Sequence, residues 1–260
     1  MDRTEILARA DANYYRSWSL LTSGAPGHEL VEQDGLLLTS GKHNYPTFNL
    51  AYFWKSNRPL EERLDEVRAY FARKARPYFV RFRVGGVPGI EKALAGSGFV
   101  IADEADVPAM VHTSLPAHEP PGRLRIVTCR TKRELANWSR TMAAGYSIPE
   151  ALAQSFTTPV SSGRLDYELY LGYAGRVAVA TSGLVLNNGV AGVYLVATLP
   201  QHRRHGYGEQ MTLHAMHRGQ QRGALFASLQ SSVMGLPVYR RMGFDEAGSY
   251  RTYRPGLSVL

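Results

Sequence analysis

The chain has 260 residues, 44% of them apolar, one cysteine and a formal net charge of +8. At roughly 100–200 residues per domain this length allows one large domain or two small ones. The lone Cys129 excludes an internal disulfide, and the chain contains no run of about 18 apolar residues that would cross a membrane.

The first five residues, Met1-Asp-Arg-Thr-Glu, lack the basic start and apolar core of a secretory signal, so a cytoplasmic protein is expected. Ile6, Leu7, Ala10 and Tyr14 recur at helical spacing and predict a helix packed on a core. Residues 35–39 and 47–54 read as strands. Residues 60–76 read as a helix, with Asn57 as its cap and Pro59 in its first turn. Residues 78–84 alternate as a strand does, residues 87–97 form a short helix before Gly98-Phe99, and residues 107–112 form another strand.

Residues 115–122 carry three prolines in a short polar stretch and read as a linker. The expected division is therefore one domain over 1–115, a linker over 116–122 and a second domain over 123–260. After the linker comes a strand over 123–128, then a helix opening at Thr131 or Lys132 and carrying Leu135, Trp138 and Met142. Residues 145–162 are polar and interrupted by proline, with some helix over 149–154. Residues 165–173 and 176–186 form a hairpin around Ala174-Gly175, and Asn187-Asn188-Gly189 is a second hairpin turn.

A β-branched strand over 190–198 is broken by Pro200 and followed by Arg203, Arg204, His205, Gly206, Tyr207 and Gly208. An amphipathic helix follows, with Met211, Thr212, Ala215, Met216 and Gly219 on one side and Gly223 at its end. A strand feeding a glycine-rich turn at a helix N-terminus is an anion site, because free backbone N–H groups and the helix dipole face the ligand. Glu209 and Gln210 follow Gly208, so the Lys and hydroxyl of a Walker loop are missing. Position 211 is Met and nothing acidic lies near 228, so the Rossmann fingerprint fails as well.

The pattern Val-x-Thr-x-Pro-x-x-Arg-Arg-x-Gly-x-Gly, filled by Val196, Thr198, Pro200, Arg203, Arg204, Gly206 and Gly208, resembles the acyl-CoA-binding motif of the GCN5-related N-acetyltransferases (GNAT). Downstream, Tyr239 stands four residues before Gly243-Phe244, which resembles a later signature of the same superfamily. The resemblance covers residues 165–255 well. It implies an α/β fold (α+β in some schemes) built of mixed, mostly antiparallel, twisted sheets flanked by helices. The order of elements repeats in the N-terminal half, so two GNAT-like domains are expected. That half has Leu94 in place of Tyr239, and Lys55-Ser-Asn-Arg-Pro59 in place of the glycine loop, so it is expected to be non-catalytic.

The resemblance further implies acetyl-CoA as co-substrate and an amine of a small molecule or peptide as acceptor. The pyrophosphate falls to backbone N–H groups around Arg203, Arg204, His205, Gly206, Tyr207 and Gly208. The pantetheine arm falls beside Val196, Ala197 and Thr198, with Ser231 and Ser232 near it. A backbone N–H at Val196 is the implied donor to the thioester oxygen, and Tyr239 the implied acid for the departing thiolate. Some members place a Glu base early on the motif strand, but the corresponding residue here is Gly192. Glu168, Asp166, His43 and His112 remain as candidates, and no base is chosen.

His202, His205, His214 and His217 form two i,i+3 pairs, which read as surface histidines, and no metal is expected. The spread of Lys and Arg along the chain reads as solvated helix faces, so neither a nucleic-acid nor a membrane partner is expected. Tyr14, Tyr45, Phe48, Trp54 and Tyr146 are able to wall an acceptor but read as core residues. The competing function is an acyl-CoA-binding regulatory protein without turnover.

Overall fold

A computed structural model describes residues 1–102, 106–119 and 121–256. In chain order the elements are α1 (Arg3–Thr22), β1 (Glu29–Gln33), β2 (Leu36–Ser40), β3 (Leu50–Phe53), α2 (Leu60–Lys74), β4 (Phe79–Arg83), α3 (Ile90–Gly96), β5 (Phe99–Ile101) and β6 (Val107–His112). They continue as β7 (Arg125–Thr128), α4 (Lys132–Tyr146), α5 (Glu150–Ser155), α6 (Thr158–Ser161), β8 (Tyr167–Ala174), β9 (Val177–Asn187), β10 (Val190–Thr198), α7 (Tyr207–Gln221), β11 (Phe226–Gln230), α8 (Leu236–Arg241) and β12 (Asp245–Pro255). Among the described residues no helix is long and apolar enough to cross a membrane.

Compactness divides the chain elsewhere than at residues 116–122. One unit comprises residues 1–24 and 109–247, the other residues 25–108 and 248–260. The physical cause is long-range pairing. Helix α1 serves the first unit, where Arg16 pairs with Asp166 at 2.7 Å and Asn187 Nδ2 donates to the Ala12 carbonyl at 3.2 Å. The last strand serves the second unit, where Tyr250–Tyr253 of β12 pair with Arg83–Val80 of β4. The proline-rich stretch is docked, since the His217 ring meets the Pro116 carbonyl at 2.9 Å and the His214 ring meets Glu119.

The first unit holds the strand order β6-β11-β10-β9-β8-β7, antiparallel except for the β10/β11 pair. Asn188 (φ 50°) and Gly189 (φ 73°) make the tight β9/β10 turn that the Asn-Asn-Gly sequence demands. Helix α7 packs Met211, Ala215 and Met216 against Ala191, Val193, Ala227 and Leu229. Helix α4 opens with a capping box between Thr131 and Glu134, and its Trp138 is buried with its ring N–H donating to the Ser182 carbonyl.

Helix α1 crosses the sheet face opposite α7. Its buried Asn13 donates to the Val185 and Val190 carbonyls at 3.0 and 3.2 Å and accepts from the Tyr194 hydroxyl at 2.7 Å. Those three bonds lie directly over Gly192, where an added Cβ would meet Asn13 Oδ1 at 1.9 Å.

The second unit orders its strands β1-β2-β3-β4-β12, with β5 also paired to β12. Here β3 and β4 are parallel and α2 connects them, burying Leu64, Val67 and Phe71 against Leu36, Leu38, Phe53, Val80 and Phe82. Both units thus contain a parallel pair bridged by a 15-residue helix and followed by a short one. Three local readings need correction. Residues 47–54 are not one strand, because Pro46–Phe48 forms a 3₁₀ turn before β3. The residue capping α2 is Pro59, without a side-chain bond, and not Asn57. The fully exposed β1, with Leu30 and Val31 adjacent, lacks any alternation, but the Asp34-Gly35 turn after it (φ 46° and 80°) is a hairpin signal that identifies it.

Replacing Gly192 by Ala sets a methyl group against the Asn13 amide. The expected loss is about 1–3 kcal/mol, the usual range for overpacking, read from the urea midpoint of the variant against the parent.

Candidate functional site

Strand β10 pairs in parallel with β11 only from Val190 to Gly192, opposite Phe226 to Ser228. Both strands run on, β10 to Thr198 and β11 to Gln230, with no further register between them among the described residues. They part, and Val196, Ala197 and Thr198 form one wall of the gap. On the other side β10 stays on β9, but with a bulge: Tyr194 opposes Gly183 while Ala197 opposes Thr181. The extra residue goes to β10, and Leu195 adopts a left-handed φ of 56° to accommodate it.

Beyond Thr198 a short 3₁₀ turn at Pro200–His202 leads into the glycine loop. Arg204 (φ 64°) and Gly206 (φ 78°) are both left-handed, and a Cβ on Gly206 would meet open space. Helix α7 starts at Tyr207 with Gly206 as N-cap and no side-chain cap. The first intrahelical bond comes from Gln210 to the Gly206 carbonyl at 3.0 Å, so the N–H groups of Tyr207, Gly208 and Glu209 have no acceptor within the helix. Together with the dipole of a 15-residue helix they form an anion cradle. A Cβ on Gly208 would lie 3.8 Å from the Thr198 hydroxyl and 3.9 Å from Val196, so the cradle adjoins the end of β10.

The side chains of the loop mostly hold its shape. Arg203 turns inward, donating from Nε to the Thr198 carbonyl at 3.3 Å and from its guanidinium to the Gly145 carbonyl at 3.0 Å. His205 Nδ1 lies 2.8 Å from the Arg203 carbonyl, and its ring stacks on Tyr207. Arg204 is exposed. The arrangement leaves backbone N–H groups outward at the start of α7, with the exposed Arg204 in the same loop.

Tyr239 sits on α8, its ring packed edge-on against Phe244. The Gly235 position leaves room for it, since a Cβ there would lie 2.9 Å from the Tyr239 ring and 3.2 Å from Ser231 Oγ. Ser231 is buried and donates to the Ser232 carbonyl at 2.8 Å, while Ser232 Oγ accepts from the Gly235 N–H at 3.2 Å. Both serines therefore order the turn that leads to Tyr239. Tyr239 packs against the core that holds Met211 and Phe244, and burial pushes its phenol pKa up to about 12. On α7 itself, the Thr212 hydroxyl donates to the Gly208 carbonyl at 2.9 Å.

Other sequence candidates are occupied elsewhere. Glu168 accepts from Tyr170 at 2.6 Å and pairs with Arg222 at 2.8 Å. Asp166 is held between Arg164 and Arg16, and those bonds keep its carboxyl well below the usual range. His112 lies against the Met242 carbonyl at 3.0 Å, and His43 belongs to the second unit, its ring against Phe48. Gly192 has no space for a larger side chain. Cys129 is buried, and burial pushes its thiol up to about 12. Among the described residues no three His, Cys, Asp or Glu side chains are grouped to hold a metal ion.

Of the five aromatics read as core, Tyr14 and Phe48 are buried, and Trp54 stacks on Tyr52. Tyr45 is exposed. Tyr146 departs from that reading in a way that matters. It is 49% exposed, and its hydroxyl donates to the Val196 carbonyl at 3.2 Å. No sequence pattern marks it, because the contact joins the end of α4 to a strand fifty residues away.

Three comparisons bear on this arrangement. The family model of the acetyltransferase (GNAT) domain matches residues 176–247, the segment that carries the gap, the loop and Tyr239. No curated protein matches the chain in sequence. Among solved structures the chain is similar in fold to a GCN5-related N-acetyltransferase from Kribbella flavida, with a TM-score of 0.74, 20% identity and 95% of each chain covered. It is also similar to a GCN5-related N-acetyltransferase from Sphaerobacter thermophilus (TM-score 0.62, 14% identity, 86% of this chain and 82% of that one). A third neighbour is a tandem GNAT protein from the clavulanic acid biosynthesis pathway (TM-score 0.60, 14% identity, 88% and 83%).

The raised Tyr239 phenol makes a direct test. Burial disfavours the anion, so the group stays neutral as pH passes 10, the ordinary value, and ionises near 12. In a spectrophotometric titration, subtracting Tyr239→Phe from the parent should remove a tyrosinate step close to pH 12; a missing step near 10 would contradict the burial argument.

Proposed function

We propose, from the premise that the chain belongs to the GCN5-related N-acetyltransferase superfamily, that it is an acyl-CoA-dependent N-acyltransferase using acetyl-CoA and a primary amine of a small molecule or peptide. One observation carries the reading: β10 leaves β11 beside an uncapped helix N-terminus, with Tyr239, on the short helix after β11, packed on Phe244 in the same core that α7 enters through Met211.

The residues fit an acyl-CoA on three counts. The uncapped N–H groups after Gly206 match a pyrophosphate, and Arg204 adds positive charge. The gap-facing edge of Val196–Thr198, which has no strand partner there and keeps its N–H groups for a ligand, matches the carbonyls of the amide-rich arm. Ser231 and Ser232 support the turn on the far side of Tyr239. Acetyl-CoA supplies an activated acyl group, whose C–S bond breaks as the amine nitrogen forms the new C–N bond. The Val196 N–H faces the negative charge that develops on the carbonyl oxygen. Tyr239, neutral below about pH 12, gives its proton to the departing sulfur as the C–S bond breaks; the proton lost by the attacking nitrogen passes to solvent, from which Tyr239 is reprotonated.

The N-terminal half is proposed to be non-catalytic. Its longer helix follows Lys55–Pro59 with no glycine, and Leu94, at the place that matches Tyr239, is fully buried. A regulatory acyl-CoA-binding protein is the second reading, favoured by the closed space at Gly192 and the engaged carboxylates of Asp166 and Glu168.

Calorimetry with acetyl-CoA and a thiol-release assay against a panel of primary amines separate the two. An enzyme shows saturable binding and amine-dependent thiol release. Tyr239→Phe should lower kcat by about 10²-fold, the scale of a lost general acid, with acetyl-CoA affinity unchanged. Full turnover by that variant removes Tyr239 from the mechanism, and binding without release by any amine favours the regulator.

A further inference from the structure

The bulge in β10 presents one particular N–H to the gap, and two side-chain hydroxyls hold it there. The Leu199 N–H donates to Val179 at 2.9 Å, and Ala197 opposes Thr181. Hydrogen-bonded pairs alternate along antiparallel strands, so Ala197 and Leu199 direct their main-chain groups to β9. Val196 and Thr198, between and before them, direct theirs the other way, into the gap left by β11. The N–H of Val196 shares a peptide plane with the carbonyl of Leu195, and in a trans peptide the two point in opposite directions. That carbonyl accepts a hydrogen bond from Thr181 Oγ1 at 2.9 Å. The next peptide plane carries the Val196 carbonyl, which accepts from the Tyr146 hydroxyl at 3.2 Å.

We propose that Thr181 and Tyr146 are positioning residues that clamp the two peptide planes on either side of Val196 and so aim its N–H at the acyl carbonyl. The proposal rests on the acyl-CoA reading given above. Three features argue that the clamp is needed. Leu195 is a branched residue at φ 56°, a conformation that costs energy unless its surroundings impose it. Thr181 is fully buried, so without its hydroxyl the Leu195 carbonyl would lose a partner that water cannot easily replace. A bond to the carbonyl also polarises the amide and strengthens its N–H as a donor.

The test uses [1-¹³C]acetyl-CoA and needs no acceptor. Infrared spectra of the bound thioester carbonyl are compared for the parent, Thr181→Val, Thr181→Ser and Tyr146→Phe, with CoA affinity measured alongside by calorimetry. Valine keeps the shape of threonine and removes the hydroxyl; serine keeps the hydroxyl. The expected result is a band lowered in the parent relative to free ligand, with about half of that shift or more lost in Thr181→Val and retained in Thr181→Ser, while CoA affinity stays constant. With any amine found to be a substrate, kcat should fall about tenfold in Thr181→Val with little change in KM. Tyr146 is half-exposed, so Tyr146→Phe carries the same reading if Thr181→Val does not fold, and its band should relax in the same direction. Identical bands in the parent and the folded variants overturn the clamp and leave the acyl-CoA reading intact. Failure of the parent to bind either CoA or acetyl-CoA overturns both.

Discussion

The site depends on where β10 stops pairing with β11. Three residues of parallel ladder, Val190 to Gly192, hold the strands together, and past that point they diverge. A strand inside a sheet normally uses both edges. Here the outer half of β10 keeps only β9 as a strand partner; the Val196 and Thr198 carbonyls take bonds from Tyr146 and Arg203, and the N–H groups of the same residues are left facing the gap. An unpaired edge is a liability in a stable protein unless something is meant to pair with it. The bulge at Leu195 reinforces the divergence, since an added residue bends the strand and turns the peptide after it.

The glycine loop completes the opening largely by backbone. Arg203 and His205, the residues whose charge and ring first draw notice, spend themselves on the Thr198, Gly145 and Arg203 carbonyls. They keep a turn with two left-handed residues in one shape, so that the first N–H groups of α7 converge on one point. Preorganised donors of this kind need no rearrangement when a ligand arrives. Tyr239 joins the same assembly by packing, since its ring lies on Phe244 in the core that Met211 of α7 also fills.

The two compact units share an order of elements but differ at the points where chemistry would occur. In one, a parallel pair is joined through a glycine loop to a helix without a cap. In the other, the corresponding helix starts at Pro59, which has no N–H to offer, and carries Glu61 and Glu62 in its first turn, where they oppose an anion. Helix α1 adds a further difference. Through Asn13 it fills the space over Gly192, so a side chain at that strand position is excluded by packing as well as by sequence.

Much of the site was legible in the linear sequence because it is local. Arg203 to Gly208, the helical stripe from Met211 to Gly219, the Asn187-Asn188-Gly189 turn and the spacing of Tyr239 to Gly243-Phe244 are short-range patterns, and short-range φ/ψ demands and periodicity fix their form. Tertiary structure alone decided what pairs with what. It carried α1 to the C-terminal sheet and β12 to the N-terminal one, turned Arg203 inward, closed Gly192 with Asn13, and set Thr181 and Tyr146 on the bulge. Each of those contacts joins residues far apart in the chain, and a buried polar group takes whichever partner the folded packing brings within reach. A sequence pattern records the conformation a segment prefers; it does not record which distant hydroxyl will meet its carbonyl.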